Sequence, residues 1–388
     1  MPRHYNAISA DGHLEGPPEF YTKYLPAKYQ QDDLRPYTFT RPDGVEVVKL
    51  GEAESQAAIV HRGPLDDDQH VPGVITNFRN PDGTYRPGLG DSRQRLIEQD
   101  NDSIDAEFLY AGSSTMLWKN LLPKNPDAHI ANVQAYNDWL AQEYNAAAPD
   151  RLMGGALVPA TGVDDAIREL TRARKMGLTW VQCQLWPNGT AYYQPGDEKF
   201  FKACVDLDML FSPHSSFAAN APKAPQGGEG SGIDGVLYHR AAGPALAVTQ
   251  FMINGIFDNV PGSKVYIGET YVSYLPFNYN RMDEHYIRRR HYHNFKLKKL
   301  PSEYIRDHMA FSFIHERPAM PLRYYTGIDN IMWGSDFPHN VNTYPHSKVS
   351  LEEMFLDVPE EERRRVLVTN PCKWFGLDPE KDLTPTPK

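Results

Sequence analysis

Eight apolar runs of strand length, most of them separated by stretches of helical spacing, constrain this chain more than any other feature. The runs lie at Ile8–Ala10, Ala106–Tyr110, Leu152–Leu157, Trp180–Leu185, Met209–His214, Lys264–Glu269, Phe311–Ile314 and 330–335. Between them the spacing predicts helices over Arg93–Ser103, Asp127–Ala147, Val163–Met176, Asp197–Asp206, Pro244–Val260 and Phe277–His293. Gly177 just past one helix and Pro244 in the first turn of another are the expected end signals. Strands that alternate with helices build a parallel sheet. Their number and the chain length predict an α/β fold, a (β/α)8 TIM-type barrel. A doubly wound open sheet is the second choice. No Gly-x-Gly-x-x-Gly follows the first strand and no P-loop is present, which weakens its nucleotide-binding form. Residues 31–92 depart from the pattern. They carry Pro-Asp-Gly at 42–44 and 81–83 and an acidic patch, Asp66-Asp67-Asp68, so they are expected to form a hairpin-and-loop insertion after the first strand. Residues 1–380 then form one domain, followed by a C-terminal tail over 381–388 whose final residues, Thr384–Lys388, are expected to fray.

Composition removes several function classes. The 388 residues are 40% hydrophobic and 12% aromatic, enough for a large core. A formal net charge of −10 argues against a nucleic-acid or anionic-membrane binder. The runs Arg288-Arg289-Arg290 and Arg363-Arg364-Arg365 are local and read as solvated helix faces. Three cysteines, Cys183, Cys204 and Cys372, fit neither a disulfide framework nor a zinc-thiolate motif. With no apolar leader and no run of membrane-spanning length, a cytoplasmic setting is expected.

Chemistry collects where barrel strands end, which is where such folds place their active sites. The first run stops at Asp11 and His13, two residues apart and so on one side of the strand. The fifth stops at His214, the sixth at Glu269, and the last at Asp336 with His339 three residues on. Taken singly, each has a plain structural reading, a hydrogen-bonded histidine or a turn-forming aspartate. Together they are hard to explain by packing. Two nitrogens and two carboxylate oxygens suit Zn²⁺ or another divalent ion such as Mn²⁺, with a position open to water.

On these residues the chain resembles the amidohydrolase superfamily, in the amidohydrolase-2 branch of aminocarboxymuconate-semialdehyde and γ-resorcylate decarboxylases. The resemblance is carried by Asp11-Gly12-His13 with Glu15 and Pro17, by Ser212-Pro213-His214, and by Gly334-Ser335-Asp336-Phe337-Pro338-His339. It runs from about residue 6 to 377, loosely over 31–92. It implies one divalent metal held by Asp11, His13, His214 and Asp336. The fourth strand reads Val181-Gln182-Cys183-Gln184 and lacks the bridging lysine of two-metal relatives. The branch carries a catalytic histidine on its sixth strand. Here the segment reads Ile267-Gly268-Glu269-Thr270-Tyr271, with a carboxylate in its place.

The resemblance implies non-oxidative decarboxylation of a small aromatic or unsaturated carboxylic acid. The alternative is hydrolysis or hydration by a metal-activated water, with Asp336 taking the proton. A non-catalytic binding barrel ranks below both, because the ligand set is intact. Asp336, Glu269 and His339 are the expected catalytic groups. Trp118, Trp186, Tyr271, Tyr274, His239 and Arg281 are candidates for substrate contact. The expected partner is a small carboxylate, with no nucleic acid or membrane, and the chain is expected to form a homodimer.

Overall fold

The computed structural model describes residues 3–17, 19–40, 42, 46–55, 90–214, 217, 243–292, 296–339 and 341–386. Its first strand, β1 (Ile8–Leu14), pairs in parallel with β5 (Ala106–Ala111), and β5 pairs with β6 (Leu152–Gly154). A second parallel sheet runs β7 (Ala156–Leu157), β8 (Trp180–Gln182), β9 (Leu210–Phe211), β10 (Val265–Ile267), β11 (Met309–Phe313) and β12 (Ile331–Trp333). A small antiparallel sheet of β2 (Tyr37–Thr40), β3 (Glu46–Leu50) and β4 (Ala53–Ser55) stands apart from both.

The strand expected over Leu152–Leu157 divides at Gly155, one half in each parallel sheet. Gly155 itself donates to Leu109 O at 3.1 Å and accepts from Gln182 Nε2 at 3.1 Å, so it stitches the sheets together. At the other seam, Asp336 N donates to Asp11 O and His13 N to Phe337 O, both at 2.8 Å. The fold is α/β, with the strands of both sheets buried except at Ala111 and helices between most of them. Asn125 caps the helix Pro126–Trp139 by accepting from Ala128 N, with Pro126 in its first turn.

Three expectations need correction. The helix expected over Pro244–Val260 is two helices, 243–253 and Ile256–Asn259, because Gly255 takes the left-handed conformation (φ 71°) between them. The strand expected over Met209–His214 is regular only at Leu210–Phe211, and His214 rejoins the sheet through a single bridge to Gly268. The C-terminal tail is not frayed over its described residues. Thr384 gives its N–H and hydroxyl to the Asp150 carboxylate at 2.6 Å, and Thr386 Oγ1 accepts from the buried Arg151 at 2.8 Å. The three cysteines are free and buried. Among the described residues, no helix is long and apolar enough to cross a membrane.

Candidate metal centre

The four expected ligands converge at the C-terminal ends of the strands. The β1–β5 register shifts between Ser9 and Gly12, so Asp11 sits on an irregularity of the kind that re-aims a side chain. His13 follows on the same strand. His214 stands on its bridge beside β10, and Asp336 follows β12 in the left-handed region (φ 58°). Asp11, His13, His214 and Asp336 present ligand atoms that all lie within 4.8 Å of one another. His13 Nε2 is 3.0 Å from Asp336 Oδ1 and 3.7 Å from Asp11 Oδ1, and His214 Nε2 is 3.6 Å from Asp11 Oδ1.

The donor atoms fit a divalent cation. Asp11 Oδ1, His13 Nε2 and Asp336 Oδ1 are buried without a well-formed hydrogen bond among the described residues, a costly state for polar atoms unless an ion satisfies them together. Burial, reinforced by the neighbouring charge of His339, lowers the His13 pKa to about 3, so its imidazole is neutral and can ligate. Burial alone would raise Asp336, but the adjoining imidazoles of His339 and His13 outweigh it and hold the carboxyl below its usual range. Asp11 is pushed up, first by burial and partly by the charge of Asp336, and a cation would reverse that penalty.

A second layer orients the ligands. The His339 ring stacks on His13 (centroids 3.8 Å apart, 26° between planes), and its Nδ1 lies 3.1 Å from Asp336 Oδ1. Glu269 Oε2 lies 3.6 Å from Nδ1 of His214, on the far side of that ring from Asp11. Ser312 Oγ donates to Asp11 Oδ2 at 3.4 Å and accepts from Glu269 N at 2.9 Å. Glu269 (φ 52°) and Tyr271 (φ 58°) both occupy the left-handed region, which bulky residues hold only where the surroundings over-determine them. Tyr110 packs edge-on to His214 at 4.9 Å, with its hydroxyl 2.5 Å from Ser212 Oγ.

The sequence reading missed Arg95, which ties the two ligand-bearing ends together. Its guanidinium is fully buried and holds Glu107 through Nε–Oε2 (2.7 Å) and Nη2–Oε1 (3.0 Å). It also donates to the carbonyls of His13 (3.1 Å) and Phe337 (3.3 Å), and it lies over the Phe337 ring at 4.5 Å. One signal was visible, since Glu107 interrupts an otherwise apolar strand and a buried carboxylate requires a partner.

The remaining candidates are dispersed. Trp118 and Trp186 are buried in the wall of another cleft, of about 270 Å³, whose lining contains none of the four ligands. Tyr271 is half-buried beside Glu269, and its N–H donates to Ser312 O at 3.0 Å. Tyr274 has a buried hydroxyl with no hydrogen-bond partner among the described residues. Arg281 lies on an exposed helix face, bonded to Glu284 and His285 at 2.8 Å, and is not brought to the ligands. His239 lies outside the described residues.

Known proteins share this arrangement of elements. The chain resembles an amidohydrolase of Mycobacterium avium subsp. paratuberculosis at a TM-score of 0.73 and 18% identity, over 97% of this chain and 99% of that one. A 5-carboxyvanillate decarboxylase of Novosphingobium aromaticivorans, solved with manganese and 4-hydroxy-3-methoxy-5-nitrobenzoic acid, aligns at 0.66 and 17%, over 96% of each chain. A dihydroxybenzoic acid decarboxylase of a Polaromonas species, solved with manganese and 2-nitroresorcinol, aligns at 0.62 and 17%, over 96% and 97%. At these identities the likeness is one of fold. No curated protein sequence matches the chain. The model of the Amidohydrolase family, however, matches residues 95–377, well over half the sequence and including His214 and Asp336. The chain therefore belongs to the Amidohydrolase family, in its amidohydrolase-2 branch, and is a metal-dependent carboxy-lyase or hydrolase.

Proposed function

We propose that this enzyme removes CO₂, without oxidation, from a small aromatic carboxylic acid. The observation that carries the reading is the buried four-donor cluster with His339 stacked against it. The decarboxylases that share the fold supply the reaction class. In the reaction, the bond between the ring carbon and the carboxylate breaks. Its electron pair stays on the ring and CO₂ leaves, and a proton replaces it. A divalent ion on Asp11, His13, His214 and Asp336 would bind anionic substrate oxygens and favour the charge that develops on the ring. His339 is the proton carrier in this reading, because its side chain is about one-third exposed while its Nδ1 is held against Asp336. Glu269 faces the outer nitrogen of His214 and serves to orient that ligand, as carboxylates commonly do for metal-bound histidines. That role differs from the acid/base work of the branch's histidine at this position.

The two parallel sheets are taken as arcs of one closed barrel, with residues 31–92 as an insertion. The hydrogen bonds at Gly155 and between Asp11 and Asp336 support this. The donor set accommodates zinc or manganese, and the manganese in both decarboxylases recommends that ion first.

The test begins with chelator-treated protein, reloaded with Mn²⁺ or Zn²⁺ and offered a panel of hydroxybenzoic acids. Metal-dependent CO₂ release is the expected result. Turnover of an amide, ester or lactone with no CO₂ from any acid would replace this reading with the hydrolytic one.

A further inference from the structure

At the opposite end of the strands from the metal ligands lies a cleft of about 330 Å³. That volume falls within the ~300–1,000 Å³ range of small-molecule sites. It is framed by residues that precede strands: Thr179 before β8, Met209 before β9 and Lys264 before β10. The end of the helix Asn370–Phe375 closes it. In this class of fold that face ordinarily serves stability, so a built site there needs its own explanation.

The lining is asymmetric in charge. Among the described residues that line it, Arg174, Lys264 and Lys373 stand against one carboxylate, Asp208. Arg174 is anchored by Nε on Leu207 O at 2.9 Å, and Lys264 Nζ sits 5.7 Å from the centre of the Trp374 ring. Two lining residues also carry buried donors with no hydrogen-bond partner among the described residues: Ser263 Oγ, on a residue 2% exposed, and Trp374 Nε1. Such donors are costly to leave unsatisfied and invite an acceptor. Behind them the wall is apolar: Val205 and Trp374 offer surface to the cleft, and Phe201, Phe211 and Phe375 pack beneath, each no more than 4% exposed. Phe375 is held rigidly, stacked on Phe108 at 3.4 Å and edge-on to Tyr266 at 5.2 Å. An excess of cations, two spare donors and an apolar surface at Trp374 and Val205 together match an anion with a flat apolar body.

We propose that this cleft binds a small aromatic carboxylate, its carboxylate among Arg174, Lys264 and Lys373 and its ring against Trp374 and Val205. The site is separate from the metal centre and independent of the reaction proposed there. Calorimetric titration with benzoate tests it. His214→Ala, which breaks the metal centre, should still bind benzoate. If that variant fails to fold, chelator-treated wild-type protein takes its place. Lys264→Met/Lys373→Met should keep its full metal content and bind benzoate at this site at least tenfold more weakly. Inorganic phosphate should bind more weakly than benzoate, because it lacks the ring. The proposal fails if metal-free protein shows no saturable benzoate binding. It fails also if the double variant binds as well as wild type, or if phosphate binds and benzoate does not.

Discussion

Arg95 is the single residue whose loss should be felt furthest. It joins the carbonyl of His13 to that of Phe337, next to Asp336, and anchors both to Glu107. Arg95→Met leaves Glu107 buried without its charge partner, a change that typically costs about 3–5 kcal/mol. Arg95→Lys keeps the charge but cannot reproduce a fork that reaches four acceptors. For the lysine variant we expect a folded protein whose metal affinity falls roughly 10–100-fold, the usual cost of losing an outer partner of a ligand. Competition against a chelating dye measures it, and an unchanged affinity would show that Arg95 serves folding alone. This residue also marks the limit of the sequence. The meeting of Asp11, His13, His214 and Asp336 was legible because polar groups at the ends of apolar strands have few structural excuses. Arg95 was not, because its meaning lies in carbonyls 82 and 242 residues away.

At the scale of elements, the approach of β12 to β1 sets the spacing of the ligands. Gly334 makes it possible, since a Cβ there would stand 2.5 Å from Asp11 Cβ and 2.9 Å from Asp11 N. Gly334→Ala must push the two strand ends apart, at a cost of about 1–3 kcal/mol typical of an overpacked core. It should weaken metal binding along with stability. Chemical denaturation and metal titration on the same variant check both, and a loss of stability with unaltered metal affinity would mean that the ends move together. The strand and helix order could be read from periodicity, but element ends could not. The helix break at Gly255 and the docking of Thr384 on Asp150 depend on local backbone choice and distant partners, which no pattern of hydrophobicity records.

The whole molecule is also tied together away from the metal. Asp102, at the end of the helix Ser92–Asn101, accepts from the N–H and hydroxyl of Ser347, at the start of the helix Ser347–Met354. It joins the segment before β5 to the segment after β12, a contact across 245 residues that no sequence pattern announces. Burial raises the Asp102 pKa from 3.8 to about 7, although the Ser347 hydrogen bonds pull it down. Between those two values the folded chain holds a proton that the unfolded chain has released. Stability from this group is therefore fully present below about pH 4 and is lost as pH rises through about 7. From pH 5 to pH 8 the loss is on the order of 2–3 kcal/mol. Asp102→Asn keeps an acceptor for the Ser347 N–H but does not titrate. In chelator, where metal binding adds nothing, urea unfolding of the wild type should lose more stability than the asparagine variant over that interval. The two should converge at acid pH, where Asp102 is protonated and also uncharged. Parallel pH profiles for the two proteins would mean that Asp102 stays ionised in its buried setting. In that case the Ser347 donors and the helix N-terminus, which favours a negative charge, outweigh the burial that opposes them.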